Sequence, residues 1–325
     1  MSHLEERRSG FTLVELLVVI AIICVLLSII VPAIQKVRES ANKLICASNM
    51  RQIALAVHNY EIQFKRVPYG QIGPTGPMQP LPPYGQSYYG WGKSSKGWSW
   101  LARLLPFVEE DNLYIQGGIG TKSLEQSGIC SERIRVFLCP SDAAYSEKPR
   151  LDSGNLVGFA VGHTNYKGVS GANWGHDATQ ELDFPTPFRT KGTNGSYDGM
   201  NQGDGIFFRM DFRYRRRLSD IKDGLSNTFM IGEDVPEKNN WCSWPYANHS
   251  YGTCAIPPNY DKYSDGSPVN PGDWYSTHSF RSSHPGGLQF AMADGSVHFV
   301  SNEISQIVYR ALSTARGQER VLLPD

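Results

Sequence analysis

The sequence lacks net charge: 31 Lys and Arg stand against 31 Asp and Glu in 325 residues. Without a surplus of cations to displace counterions from phosphates, nucleic acid is excluded as a partner. The short signatures of catalysis are also missing. There is no G-x-S-x-G elbow, no Walker-type phosphate loop and no dinucleotide fingerprint. The eight histidines form neither H-x-x-x-H nor H-E-x-x-H, so no zinc site, no other metal and no cofactor is expected. Cysteine is scarce, with six residues. What the chain does have excludes disorder, because 40% of residues are hydrophobic and 11% aromatic. The 32 Gly and 20 Pro favour a loop-rich, strand-containing body over a helix bundle.

One segment departs from this moderate average. Phe11 to Val31 reads FTLVELLVVIAIICVLLSIIV, with Glu15 its only charge. As a helix it would extend roughly 31 Å, enough to cross a bilayer core of about 30 Å. It is too long for the apolar part of a secretory signal, about 7–15 residues, and lacks a small-x-small ending. Flanking charge does not orient it, since Arg7 and Arg8 sit beside Glu5 and Glu6 while Lys36, Arg38 and Lys43 follow. A carboxylate in an apolar layer either snorkels to the headgroups or meets a cation. No Lys or Arg lies in the segment, but a free α-amino group at Phe11 would supply one if the chain were cut after Gly10. The helix is expected to continue past a kink at Pro32. Cys46, Met50, Ile53, Val57, Tyr60 and Phe64 then recur at steps of four and three, an apolar stripe for a domain to cover. Val67-Pro68 and Gly70 end the pattern.

The string Gly10-Phe11-Thr12-Leu13-Val14-Glu15, a short charged leader before it and a long apolar run after it resemble the processing site of type IV prepilins and type II secretion pseudopilins. In that family a membrane peptidase cuts after the glycine and methylates the new N-terminal residue. The resemblance implies cleavage between Gly10 and Phe11, with Glu15 neutralising the amine of a neighbouring subunit during assembly. It also implies three partners: prepilin peptidase, other pilin-like subunits, and membrane lipid around the helix. The location it implies is the bacterial inner membrane, single-pass, with the head in the periplasm or at the cell surface, or in an extracellular filament after processing.

Beyond the helix the signals are shorter. Residues 68–97 read as an irregular connection, and Trp98–Tyr114 as helical with a break at Pro106. Phe137–Asp142 reads as a short buried strand ending in a turn, and Ile206–Tyr214 and Thr228–Glu233 as strands, Ile206–Tyr214 from its alternation of apolar and charged residues. Leu288–Ala293, Asp294-Gly295 and Ser296–Val300 form the strongest local pattern, a hairpin whose central Asp294 and Gly295 can both take the positive φ a tight turn demands. His284 precedes Asp294 by nine intervening residues. That H-x9-D-G spacing resembles the C-terminal region of a bacterial family of prepilin-like proteins of unknown function, and the likeness extends over nearly the whole chain. His284 and Asp294 are expected to serve structure, pinning the hairpin and its turn, instead of forming a catalytic or metal pair. Asp198–Gly205 suggests an oxygen-rich calcium loop, but a plain polar turn is the favoured reading, since it lacks the alternate acids and distant Glu of an EF-hand. Arg213, Arg215, Arg216 and Arg217 are expected on a solvated strand face. Cys24 lies in the apolar segment and should stay reduced; Cys242 and Cys254 are expected to form a disulfide, and Cys139 to pair with Cys46 or with Cys130.

These readings combine into an α+β, pilin-like fold: a long N-terminal helix, transmembrane in its first half, packed on a mainly antiparallel β head with loop-rich insertions. Its expected parts are a leader (1–10), a membrane helix (11–31), an amphipathic continuation (32–66) and an exported head (67–325). The expected role is that of a non-enzymatic, exported prepilin-like subunit. The alternative is a cell-surface binding module that uses the segment only for export, reading glycans or proteins with the aromatics between Trp241 and Tyr275.

Overall fold

The computed structural model describes residues 13–71, 91–142, 145–175, 188–319 and 321–323. Gly10, Phe11, the leader and most of the irregular 68–97 connection lie outside these residues. The chain divides into two units, residues 1–44 and 45–325. In the first, helix α1 (Leu13–Phe64) begins, and it runs through Pro32 without interruption. Its side chains from Leu13 to Arg38 are all exposed, including every large aliphatic. In a water-soluble protein that surface would be strongly unfavourable, at about 25 cal/mol per Å². Among the described residues, α1 is the helix long and apolar enough to cross a membrane. Within it Ser28 Oγ donates to the Val25 carbonyl at 2.7 Å, so the hydroxyl is satisfied inside its own helix.

In the second unit the remainder of α1 is covered on one face. Cys46, Met50, Ile53, Ala54, Val57 and Tyr60 are buried, as the four-and-three spacing predicts. Phe64 is half-exposed, its ring tilted against Tyr60 and edge-on to Phe107. The stripe packs into a core with Trp98, Trp100, Leu101, Phe137, Tyr166 and Trp244. The segment expected to be helical forms α2 (Trp100–Arg103), a 3-10 turn at Leu105–Phe107 containing Pro106, and α3 (Asp111–Gly117). Ser99 caps α2 by accepting from Ala102 N at 3.0 Å. A further turn of helix, α4 (Leu124–Ser127), opens with a Ser123/Gln126 capping box.

A five-stranded sheet runs through this unit. Its strands are β1 (Tyr166–Val169), β2 (Phe229–Glu233), β3 (Tyr251–Gly252), β4 (Gly287–Met292) and β5 (Val297–Ser301), in the order β3-β1-β2-β4-β5. All neighbours are antiparallel except β1 with β3. β2 is central and buried along its whole length, which is why Phe229, Met230 and Ile231 follow one another without polar alternation. The sheet is covered twice. Met230, Ile231 and Ala291 join the core that contains the α1 stripe; Phe229, Leu288, Phe290 and Val300 join a second cluster with Tyr309 of α5 (Gln306–Ala311). Gly232 makes the second packing possible, because a Cβ there would meet the Phe280 and Phe290 rings at 2.5 Å.

The β4–β5 hairpin forms as expected, with register from Gly287↔Ser301 to Ala291↔Val297. Its turn differs in detail: Gly295 has φ +88°, while Asp294 is not in the positive-φ region. Asp294 instead holds the turn by accepting from Ser296 N at 2.8 Å and Ser296 Oγ at 2.7 Å.

Two expected strands are not strands. The strand expected at the start of Phe137–Asp142 is replaced by a 3-10 turn, Arg135–Phe137, while the turn expected at its end is present as Pro140–Asp142. Pro140 has no N–H to give a ladder, and Cys139 N donates to the Asn165 side chain at 3.0 Å instead of to a neighbouring strand. Ile206–Tyr214 is irregular and ends in a 3-10 turn, Asp211–Arg213. Its alternation does not separate inside from outside, because Arg209 and Asp211 are buried with the apolar residues. Asp211 Oδ1 accepts from Gly70 N at 2.7 Å, and Arg209 donates to the side chains of Asn201 and Asn248.

Candidate functional site

The N-terminal segment presents Glu15 in the first turn of α1, where a carboxylate complements the positive end of the helix dipole. Its predicted companions Gly10 and Phe11 lie outside the described residues.

The other chemically dense place is a corner of the second unit where four distant segments meet. Cys46, on the buried stripe of α1, is joined by a disulfide to Cys139, with Cα atoms 5.3 Å apart and a sequence separation of 93. The open choice for Cys139 is thereby decided in favour of Cys46. Cys130 is a free thiol seated on Ser127 and the Leu124 carbonyl, and burial pushes it up to about 12. Beside the disulfide, His284 Nε2 lies 3.6 Å from Cys139 Sγ and 3.5 Å from Glu233 Oε1. Glu233 ends β2; its other oxygen accepts from Gln289 N of β4 at 2.8 Å. Tyr166 OH donates to the Cys46 carbonyl, tying β1 to the same corner. His284 therefore pins β2 and the disulfide, while Asp294 serves the hairpin turn beyond the far end of β4. The two do not form a pair.

The expected Cys242–Cys254 disulfide is corrected: both are free, buried thiols. Each belongs to a different surrounding. Cys242 Sγ donates to Asp234 Oδ2 at 3.2 Å, and Cys254 packs in the cluster with Phe280, Phe290 and Tyr309. The chain between them forms a 3-10 turn and β3, which carries them apart even though they are close in sequence. Burial pushes both thiols above the ordinary range.

Asp234 organises a buried polar knot. It forms an ion pair with Lys167 at 2.8 Å and accepts from Asn239 Nδ2 at 2.7 Å, with Arg281 3.6 Å away. The residues of the suspected calcium loop look inward. Asp198 accepts from Met200 N, Asn201 N and Asn201 Nδ2, and Asp204 from Ala172 N and Thr193 N. Their carboxylates close loops from within and do not converge on a cation position. The arginines do not lie on a strand face. Arg215, Arg216 and Arg217 line a cleft of about 710 Å³, with Arg216 donating to the Gly203 and Gly205 carbonyls. Ser153 and Ser243 hydroxyls face His249 Nδ1 at 3.1 and 2.8 Å, but all three residues are fully buried. Burial and nearby Arg150 hold that imidazole well below its ordinary value, so this contact joins loops and offers no nucleophile to a substrate.

The grouping of Cys46, Cys139, Glu233 and His284 could not be read from the sequence, because no two of them lie within one local motif. Glu233 carried no signal beyond ending a strand.

A long apolar N-terminal helix, its second half covered by a mainly antiparallel sheet, defines a pilin-like α+β protein. The family described as "Protein of unknown function (DUF1559)" matches residues 35–306, and the chain belongs to it. The prokaryotic N-terminal methylation motif matches residues 7–31. The chain is 38% identical over 63 residues to the competence protein ComGC of Halalkalibacterium halodurans, covering 19% of this chain and 62% of that protein. It is 33% identical over 84 residues to the type II secretion system core protein G of Dickeya chrysanthemi, covering 24% of this chain and 55% of that protein. The chain thus spans less than two-thirds of these relatives. No solved structure matches it. Together the motif, the relatives and the apolar helix point to a membrane-anchored, pilin-like structural protein.

Proposed function

We propose that the chain is an exported prepilin-like subunit. A prepilin peptidase cuts after Gly10, Phe11 becomes the methylated N-terminus, and the head resides outside the cytoplasm in the periplasm or at the cell surface. Subunits then assemble into a pilus-like or secretion-associated structure through their apolar helices, Glu15 of one meeting the terminal amine of the next. One observation carries this reading: an uncovered apolar helical segment with Glu15 in its first turn, four residues after Phe11, inside the matched methylation motif. The role is structural, and no substrate is assigned.

The alternative of a surface binding module rested on the aromatics between Trp241 and Tyr275. Trp244, Tyr246 and Tyr251 are fully buried in the main core, which removes much of the supposed recognition surface. Intact-mass measurement and N-terminal sequencing of native protein test the proposal. The expected product begins at Phe11 and carries one methyl group; native material beginning at Met1 in cells with active peptidase would overturn it.

A further inference from the structure

The Cys46 corner contains more than a disulfide needs. Cys46 Sγ, Cys139 Sγ, one imidazole nitrogen of His284 and one carboxylate oxygen of Glu233 all lie within 4.8 Å of one another, and all four residues are buried. A tetrahedral zinc ion with bonds of about 2.0–2.3 Å sets its ligand atoms roughly 3.3–3.8 Å apart. The two contacts made by His284 Nε2, 3.6 Å to Cys139 Sγ and 3.5 Å to Glu233 Oε1, already have that spacing. Glu233 Oε1 supplies an independent indication. It is a buried carboxylate oxygen that accepts no hydrogen bond and faces His284 Nε2 only at the longer distance of 3.5 Å, whereas Oε2 is held by Gln289 N. An acceptor left in this condition is costly unless something else meets it.

We propose that Cys46, Cys139, His284 and Glu233 form a zinc site in the reduced chain, and that the disulfide is the oxidised, metal-free form of the same site. The ligand types select zinc. Two thiolates and an imidazole suit a borderline-soft ion, a tetrahedral carboxylate-bearing set does not suit a tetragonal copper(II) ion, and the sulfurs exclude magnesium and calcium. The chemistry balances with a phosphine as reductant: the phosphine takes oxygen from one water, the S–S bond breaks, and the two protons of that water go to the two sulfurs. Zinc binding then releases both thiol protons to solvent as two Zn–S bonds form. A cleft of about 660 Å³, lined by Asn49, Glu109, Glu110 and Cys139 among others, lies beside the Cys139 end of the site. Neighbouring hydrogen bonds fix the ligands in place: Cys139 N donates to Asn165 Oδ1, and His284 N to Ser282 Oγ. The disulfide and the ion are thus two clasps for one joint, tying α1 to the segment at Cys139 in either redox state.

The test uses the full chain in detergent micelles, oxidised or reduced with a phosphine, with Co²⁺ as optical probe and Zn²⁺ as competitor. The reduced chain is expected to bind one Co²⁺ with thiolate-to-metal charge transfer and tetrahedral d–d bands, displaced by Zn²⁺, and the oxidised chain to show neither. Zn²⁺ should protect Cys46 and Cys139 of the reduced chain from alkylation without protecting Cys24, Cys130, Cys242 or Cys254. His284→Gln should weaken binding at least about tenfold, as loss of a direct ligand must when loss of a supporting contact already costs that much. The proposal is overturned by absence of binding in the reduced chain, by protection that falls on the other cysteines, by unchanged affinity in His284→Gln, or by unfolding on reduction with Zn²⁺ present.

Discussion

His163 shows how far an environment can displace an ordinary side chain. It is buried, its Nε2 lies 3.0 Å from the Lys148 carbonyl, and burial together with Arg150 holds the imidazole down to about 4. In the unfolded chain the same group titrates near 6.5. Between those values the unfolded chain binds a proton that the folded chain refuses, so stability is lost as pH falls from about 6.5 to about 4. Asp211 acts with the opposite sign: burial holds it up to about 8, and its contribution declines as pH rises toward that value. A comparison with His163→Gln isolates the histidine. Urea midpoints of the wild-type chain should fall more steeply than those of His163→Gln as pH drops from 6.5 to 4.5, and parallel curves would show that His163 does not titrate in this way. None of this was legible in the sequence, where His163 is one of several histidines without a motif.

At the scale of elements, legibility followed the range of the interactions. The β4–β5 hairpin was readable because Asp294-Gly295 and the flanking runs specify it within a dozen residues. The α1 stripe was readable because its period repeats for several turns. Ile206–Tyr214 misled because alternation predicts a half-exposed strand only if charged residues face water, and here Arg209 and Asp211 find buried polar partners from remote segments. The cysteines misled for a related reason: nearness in sequence favoured Cys242 with Cys254, while packing brought Cys46 to Cys139. That bridge closes a long loop and so removes much freedom from the unfolded chain. Cys139→Ser is expected to lower unfolding stability by about 2–5 kcal/mol, measured as a lower urea midpoint. An unchanged midpoint would mean that the α1 stripe holds its place without the bridge.

At the scale of the molecule, the two halves of α1 answer to different surroundings, one bare and apolar, the other lodged in a core. Replacing Glu15 with Ala is expected to leave cutting after Gly10 intact while reducing cross-linked subunit arrays in cells. If cutting fails as well, Glu15 acts in processing and the assembly role is wrong. By itself the sequence determined the membrane-length helix, the covered stripe and the C-terminal hairpin, because each depends on residues within a few turns or strand lengths of one another. Only the tertiary structure decided which cysteines pair, that Lys167 is buried against Asp234, and that His284 and Glu233 stand beside the disulfide. Those outcomes depend on segments brought together by burial of apolar surface, and that force acts on area without regard to sequence distance.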